Sequence, residues 1–329
     1  MPGRLDQCLH VSAPGGQLTT GQLTTGQLST IGDVSARYGA GPVAIVGQRF
    51  QLPLIPAPDL PAVTARLRAA GLAVTEPPDD AAPVFTGSPV AGIAADEIID
   101  GTSALRKLIG QAPSCGPLPS AFTTTISGSP RPDVLPEASD VSFTGVRHPR
   151  LGPGFDVRVG AALAARPLRP GRLGAFVTAA EVPAVWAAIV AAFRDFGHRP
   201  LDRRERLALL IAGPAAAFRR MIEREYLPAA LADGYPPPLP NGPRDHIGVH
   251  PQRDGRCYIG VTPGADRAPL TALAALAEAH GSTRLRITPY QKLIVLDIPP
   301  PRVESFCTSL TQIGLTARPA LSHRRSAGW

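Results

Sequence analysis

The sequence predicts an α+β fold in which two βαββα units, related by an internal pseudo-twofold duplication, flank a central mixed α/β domain. Three observations predict it. Residues 8–72 and 256–315 read in the same order of strands and helices, and single residues recur between them at fixed offsets. A longer stretch, 80–227, with strand and helix patterns of its own, separates the two.

In the first unit Cys8–Ala13 reads as a strand and Pro14–Gly15–Gly16 as a turn, with a helix following to about Tyr38. Strands near Val43–Val46 and Arg49–Ile55 come next. A second helix starts at Asp59, places Leu60, Val63, Leu67 and Ala70 on one apolar face, and stops at Gly71. In the second unit Cys257–Thr262 is the strand and Pro263–Gly264 the turn. Leu270, Leu273, Leu276 and Ala277 mark a helix, Arg284–Thr288 and Lys292–Ile298 two strands, and Val303, Phe306 and Leu310 the last helix. Cys8 and Pro14–Gly15 recur as Cys257 and Pro263–Gly264, an offset of 249. Gln48, Ile55, Pro56, Leu67 and Gly71 recur as Gln291, Ile298, Pro299, Leu310 and Gly314, an offset of 243. The difference falls in the first helix region, where GQLTT, GQLTT and GQLST run in tandem over residues 16–30. A five-residue period puts its leucines on different helix faces, so the repeat reads as an expansion that adds length without function.

Between the units Phe122–Ser127, Val141–Val146 and Phe155–Val159 read as strands. Val182, Val185, Trp186, Ile189 and Phe193 form an amphipathic helix behind Thr178, a candidate cap, and Leu207–Ile211 and Phe218–Tyr226 give two more helices. Tyr235–Pro243, with five prolines, reads as a stiff linker. The expected domains are 1–75, 76–230, a linker at 231–243, 244–317 and a short tail at 318–329.

The net charge of +7 is almost wholly arginine, since Lys107 and Lys292 are the only lysines. A basic surface attracts acidic partners or anions. No basic run is interleaved with aromatics, which argues against nucleic acid. No apolar run approaches the ~20 residues of a membrane span, and no signal peptide is visible, so a cytoplasmic location without membrane contact is expected. Cys8, Cys115, Cys257 and Cys307 are scattered, without CxxC spacing, and read as reduced, buried thiols.

Five stretches then carry a resemblance: Ala13–Pro14–Gly15–Gly16; Gly87–Ser88–Pro89–Val90–Ala91–Gly92; Leu118–Pro119 with Thr125–Ile126–Ser127–Gly128; Gly152–Pro153–Gly154–Phe155–Asp156; and Thr288–Pro289–Tyr290–Gln291–Lys292. In this order the chain resembles the sirohaem-dependent nitrite/sulfite reductases, in particular the actinobacterial ferredoxin-dependent type. The resemblance implies ferredoxin-like half-domains around a central sirohaem-type domain. It also implies a six-electron reduction of nitrite to ammonia, or sulfite to sulfide, using sirohaem and a [4Fe–4S] cluster. It points to Arg49, Gln51, Arg286, Gln291 and Lys292 as cofactor-binding residues.

The chain departs from that pattern at both demands of the chemistry. Positions where the resemblance expects basic residues carry His10, Ser12, Gly47, Pro83, Ala121 and Thr123. The cysteine motifs that follow the paired arginines in the family have no counterpart after Arg324–Arg325, so a [4Fe–4S] cluster is expected to be absent from this chain. The expected partners are a cluster-bearing C-terminal half or a ferredoxin-type donor. A non-catalytic partner module, or a relative of the precorrin-3B synthase branch, stays open as an alternative. Two further patterns read as structural. Gly39–Ala40–Gly41 closes a helix instead of opening one, and Asp245–His246 with His250 lies on extended chain, a polar strand edge too stretched to share one metal.

Overall fold

The computed structural model describes residues 7–12, 21–39, 43–46, 48–75, 83–111, 122–129, 133–134, 139–160, 171–196, 215–237, 245–262 and 269–318. The first unit comprises β1 (Gln7–Ser12), β2 (Gln22–Thr24), α1 (Thr25–Tyr38), β3 (Ala44–Val46), β4 (Arg49–Ile55), α2 (Leu60–Ala69) and β5 (Ala73–Thr75). Its antiparallel sheet runs β3-β4-β1-β5. Alternation turns Leu9, Val11, Phe50 and Leu52 toward Leu28, Ile31 and Val34 of α1 and Val63 and Leu67 of α2.

The tandem pentamers corrected one expectation. The second copy supplies β2, which leaves its own unit and joins the sheet of the second, while the third copy opens α1. Leu23 and Leu28, the same position of the two copies, are both buried. Thr24 and Gln27 form a reciprocal cap: the Gln27 N–H donates to Thr24 Oγ1 at 3.1 Å and the Thr24 N–H to Gln27 Oε1 at 3.0 Å. These copies therefore join the two units and start a helix. The first copy lies outside the described residues.

The central domain comprises β6 (Val84–Gly87), α3 (Gly101–Gln111), β7 (Thr123–Ser127), β8 (Val141–His148), β9 (Gly152–Val159), β10 (Gly171–Val177), α4 (Val182–Phe196), α5 (Ala215–Glu225) and β11 (Ala232–Asp233). The sheet order is β11-β10-β9-β8-β7-β6, with β6, β7 and β8 parallel and the rest antiparallel, so the central sheet reaches to Asp233. The scarce aromatics concentrate here. Phe85, Phe122, Phe143, Phe155, Trp186 and Phe193 pack between one sheet face and the helices, and Trp186 Nε1 donates to Thr124 Oγ1 at 2.9 Å. Thr178 does not cap α4 through its side chain as expected; its hydroxyl donates to the Glu181 carboxylate. The expected helix at Leu207–Ile211 lies outside the described residues.

The second unit comprises β12 (Gly248–Pro251), β13 (Cys257–Val261), α6 (Leu270–Ala279), β14 (Arg284–Ile287), β15 (Leu293–Ile298) and α7 (Val303–Gln312). Its sheet, β12-β13-β15-β14-β2, repeats the first in order, hairpin beside first strand beside edge. Pairing sets the true register of the repeat. Gln7 faces Ile55 as Cys257 faces Ile298, and Val11 faces Phe50 as Val261 faces Leu293. The first strands are thus offset by 250, not the 249 of the literal Cys8 match, and a one-residue slip exchanges sheet faces. Both sheets bulge at the same place, with Leu54 (φ 56°) and Asp297 (φ 62°) left-handed. The two units share one core across α1 and α6. At Gly32 a Cβ would meet Thr271 Oγ1 at 2.5 Å and the Thr271 nitrogen at 3.0 Å, so only glycine permits this approach. Among the described residues no helix is long and apolar enough to cross a membrane.

Candidate functional site

The three parts of the molecule meet where the chain leaves β6. The segment Ser88–Glu97 folds over the outer face of the second sheet, packing Val90, Ile93 and Ala94 on Tyr258, Ile294 and Leu296. Arg286, on that face of β14, is buried and reads all three parts. Its Nη1 donates to the carbonyls of Pro89 (3.0 Å) and Ala91 (2.9 Å), and Nε and Nη2 donate to Gln22 Oε1 (3.3 and 3.2 Å). Burial, with Arg284 nearby, pulls the guanidinium down to about 10. Gln48, just before β4, donates to the carbonyls of Gly87 (3.3 Å) and Ile287 (3.2 Å), and its buried Oε1 meets no donor among the described residues.

A second set of contacts holds the covering segment from its other side. The Asp133 carboxylate, fully buried, accepts from Ser88 Oγ and Ser127 Oγ at 2.7 Å and from His246 Nε2 at 2.8 Å, while His246 Nδ1 meets Tyr258 Oη at 3.2 Å. Glu97 Oε2 accepts from the Gly92 N–H at 2.8 Å, and Arg253 Nη2 stands 3.4 Å away. Burial pushes Glu97 up to about 7, and its Oε1 makes no hydrogen bond among the described residues.

The candidate residues fall into three environments. Arg49 and Gln51 are half-buried on the outer face of the first sheet, with Gln51 paired between His10 and Ala44. Nothing like the Ser88–Glu97 segment lies on this face among the described residues; Cys8, Ala44 and Val46 are exposed there. Gln291 (φ 62°) and Lys292 come together in a cleft of about 320 Å³ between the units, lined also by Val43–Val46, Phe50 and Leu270. Arg286 is committed to the carbonyls behind the second sheet. Gln22 and Gln48 carry contacts that the residue pattern did not single out as a site; the recurrence of Gln48 at Gln291 was the available signal.

Two expectations change. His246 is no strand edge but a buried partner of Asp133, and left-handed backbone at His246 (φ 58°) and Gly248 (φ 113°) brings its ring within 6.2 Å of His250. The three cysteines among the described residues are free and none of them is buried, since Cys8 is exposed and Cys257 and Cys307 are intermediate. Gly39 ends α1, its N–H donating to the Ser35 carbonyl.

Residues 83–228 match the nitrite and sulphite reductase 4Fe-4S domain, and residues 6–70 and 250–311 the nitrite/sulfite reductase ferredoxin-like half domain. The chain belongs to the nitrite and sulfite reductase family. It is 40% identical over 300 residues to the sulfite reductase [ferredoxin] of Mycobacterium tuberculosis, covering 88% of this chain and 54% of that protein. It is 29% identical to the assimilatory ferredoxin-dependent nitrite reductase of Haloferax mediterranei, over 82% of this chain and 52% of the relative. The structure of the Mycobacterium tuberculosis NirA protein superposes with a TM-score of 0.81 at 39% identity, covering 95% of this chain and 57% of that one. The chain thus spans about half the length of the relatives it matches.

Members of this family use sirohaem and a [4Fe–4S] cluster. A sirohaem carries carboxylates that require converging cations. Of the candidate residues, Arg49 and Lys292 offer a charge not already bonded among the described residues, whereas Arg286 is committed, and the orphaned Gln48 Oε1 is an acceptor, not a donor. Among the described residues no three His, Cys, Asp or Glu side chains are placed to hold a metal ion. The described residues do not by themselves make either cofactor site.

Proposed function

We propose that this chain is the cofactor-framing half of a nitrite or sulfite reductase, completed by a cluster-bearing half that covers the outer face of the first sheet. Alone it does not turn over. The observation that supports this most is the contrast between the two outer faces. The second is closed by Ser88–Glu97 and clamped by Arg286, whereas the repeat-related face bearing Arg49 and Gln51 has no such cover among the described residues. In this reading Arg49 and Lys292 supply charge toward sirohaem carboxylates, Gln51 and Gln291 supply hydrogen bonds, and Arg286 holds the frame. The electron donor is of the ferredoxin type. When bound, the cluster would relay electrons from that donor and sirohaem would supply the substrate-binding iron.

The test is ammonia or sulfide formation from nitrite or sulfite with reduced ferredoxin, by the lone chain and by the chain joined to the C-terminal half of the mycobacterial sulfite reductase. The lone chain should form neither product and the joined chain should form one. Turnover by the lone chain, abolished by Lys292→Ala, would overturn the proposal.

A further inference from the structure

Tyr258, His246 and Asp133 form a buried chain of hydrogen bonds that the proposed function does not use. Tyr258 stands on the outer face of β13, under Val90 and Ala94 of the covering segment and beside Ile294 and Leu296. Its Oη lies 3.2 Å from His246 Nδ1, and His246 Nε2 lies 2.8 Å from Asp133 Oδ2. Ser88 and Ser127 already donate to that carboxylate, and His246 Nε2 donates the third bond. The tautomer follows: Nε2 carries the ring proton, and Nδ1 presents its lone pair to the phenol, which donates to it.

The backbone is strained to build this chain. His246 is left-handed (φ 58°), a conformation that costs a residue with a side chain free energy and that glycine would take without cost. Gly260, two residues from Tyr258 on β13, makes room for it, since a Cβ there would lie 1.8 Å from the His246 carbonyl oxygen. Strain kept at one histidine, whose ring then joins a carboxylate to a phenol, points to a use for the three groups together.

Access decides what that use is. All three side chains are buried, so none reaches a substrate, whereas electron transfer needs no contact. A phenol that loses an electron becomes a strong acid, and among apolar neighbours its proton has to pass to a base already bonded to it. His246 Nδ1 is that base, and Asp133 stabilises the imidazolium that forms. The phenol ring stacks on half-buried His250, with centroids 4.9 Å apart at 23°, which brings a second ring between it and the surface. We propose that Tyr258 is a reversible one-electron redox site. An outer-sphere one-electron oxidant takes an electron from the ring, the O–H bond breaks, and the proton moves to His246 Nδ1. The products are a neutral phenoxyl radical, an imidazolium paired with Asp133 and the reduced oxidant; return of an electron reverses both transfers. The inference goes beyond the proposed function, since it needs neither sirohaem nor a cluster-bearing partner.

The test is flash oxidation of the full chain by photogenerated tris(bipyridine)ruthenium(III), with transient absorption for the rate and electron paramagnetic resonance for the product. A persistent tyrosyl signal should form. Tyr258→Phe, which keeps the ring packing, should remove it, and Tyr235→Phe, at an exposed tyrosine, should not. Formation should be slower in deuterium oxide after full exchange. His246→Asn, chosen because asparagine tolerates left-handed backbone, should slow it at least about a hundredfold. If that variant does not fold, Tyr258→Phe and the isotope effect still decide. No radical that depends on Tyr258, or one formed at the same rate in deuterium oxide or in His246→Asn, would mean that the chain only holds the fold and the proposal is wrong.

Discussion

The two half-domains are alike inside and unlike outside. Leu9, Val11, Ile45, Phe50 and Leu52 of the first hold the core places of Ile259, Val261, Ile287, Leu293 and Val295 of the second, and even the left-handed bulge residue recurs. On the outer faces Ala44 stands where the second unit has Arg286, Gln51 where it has Ile294, and Leu54 where it has Asp297. Packing around a shared core fixes one side of each sheet. The other side follows its neighbour: a covering segment on the second sheet, and none from the described residues on the first.

The comparison breaks if equivalent positions respond equally to change. Arg286→Met should cost about 3–5 kcal/mol, because two buried carbonyls and Gln22 lose their donor together. Ala44→Arg, the reverse change at the exposed equivalent, should stay within about 0.5 kcal/mol. Urea unfolding of both variants measures the difference. Asp297→Leu, which installs the residue of the first unit, should cost about 2 kcal/mol. It removes the bonds to Arg284 (2.7 and 2.9 Å) and Gln252 (3.0 Å) from a left-handed position, but Arg284 is 41% exposed and water compensates in part.

The covering segment should also give the second sheet a pH dependence that the first lacks. Glu97 binds its proton more tightly folded than unfolded. Its contribution is therefore fully present below about 4.5 and is lost as pH rises through about 7. Melting curves from pH 5 to pH 8 should show this loss, on the order of 2 kcal/mol, and Glu97→Gln should remove it. A slope unchanged in that variant would assign the effect elsewhere. The smallest effect belongs to the first unit. Leu54→Asn, at an exposed left-handed position, should stabilise by about 0.5–1 kcal/mol, read as a raised melting temperature.

The duplicated element order was legible in the sequence because alternation and helical periodicity record which side of each element meets the core. β2 was not, since GQLTT at Gly21–Thr25 supplies the strand Gln22–Thr24 and the near-identical GQLST at Gly26–Thr30 is helical throughout; pairing with β14 and the Thr24 cap decide between them. The Cys8–Cys257 coincidence misplaced the first strand by one residue, which only pairing corrects. At the candidate site, the charge of Arg286, Lys292 and Arg49 was legible. That Arg286 spends its donors on Pro89 and Ala91 was not, because backbone carbonyls leave no trace in residue identity. His246 reached Asp133 through a left-handed turn of the kind glycine usually marks, here made by histidine itself.

Cys8 reports directly on the central claim, because it is exposed on the open face of β1, whereas Cys307 lies on α7 away from it. The measurement is the alkylation rate of each thiol by mass spectrometry, in the lone chain and in the chain joined to the cluster-bearing half of the mycobacterial relative. The account predicts that Cys8 becomes at least about tenfold slower in the joined protein while Cys307 keeps its rate. An unchanged Cys8 in a joined protein that reduces sulfite would contradict it, since the completed enzyme would then leave this face open.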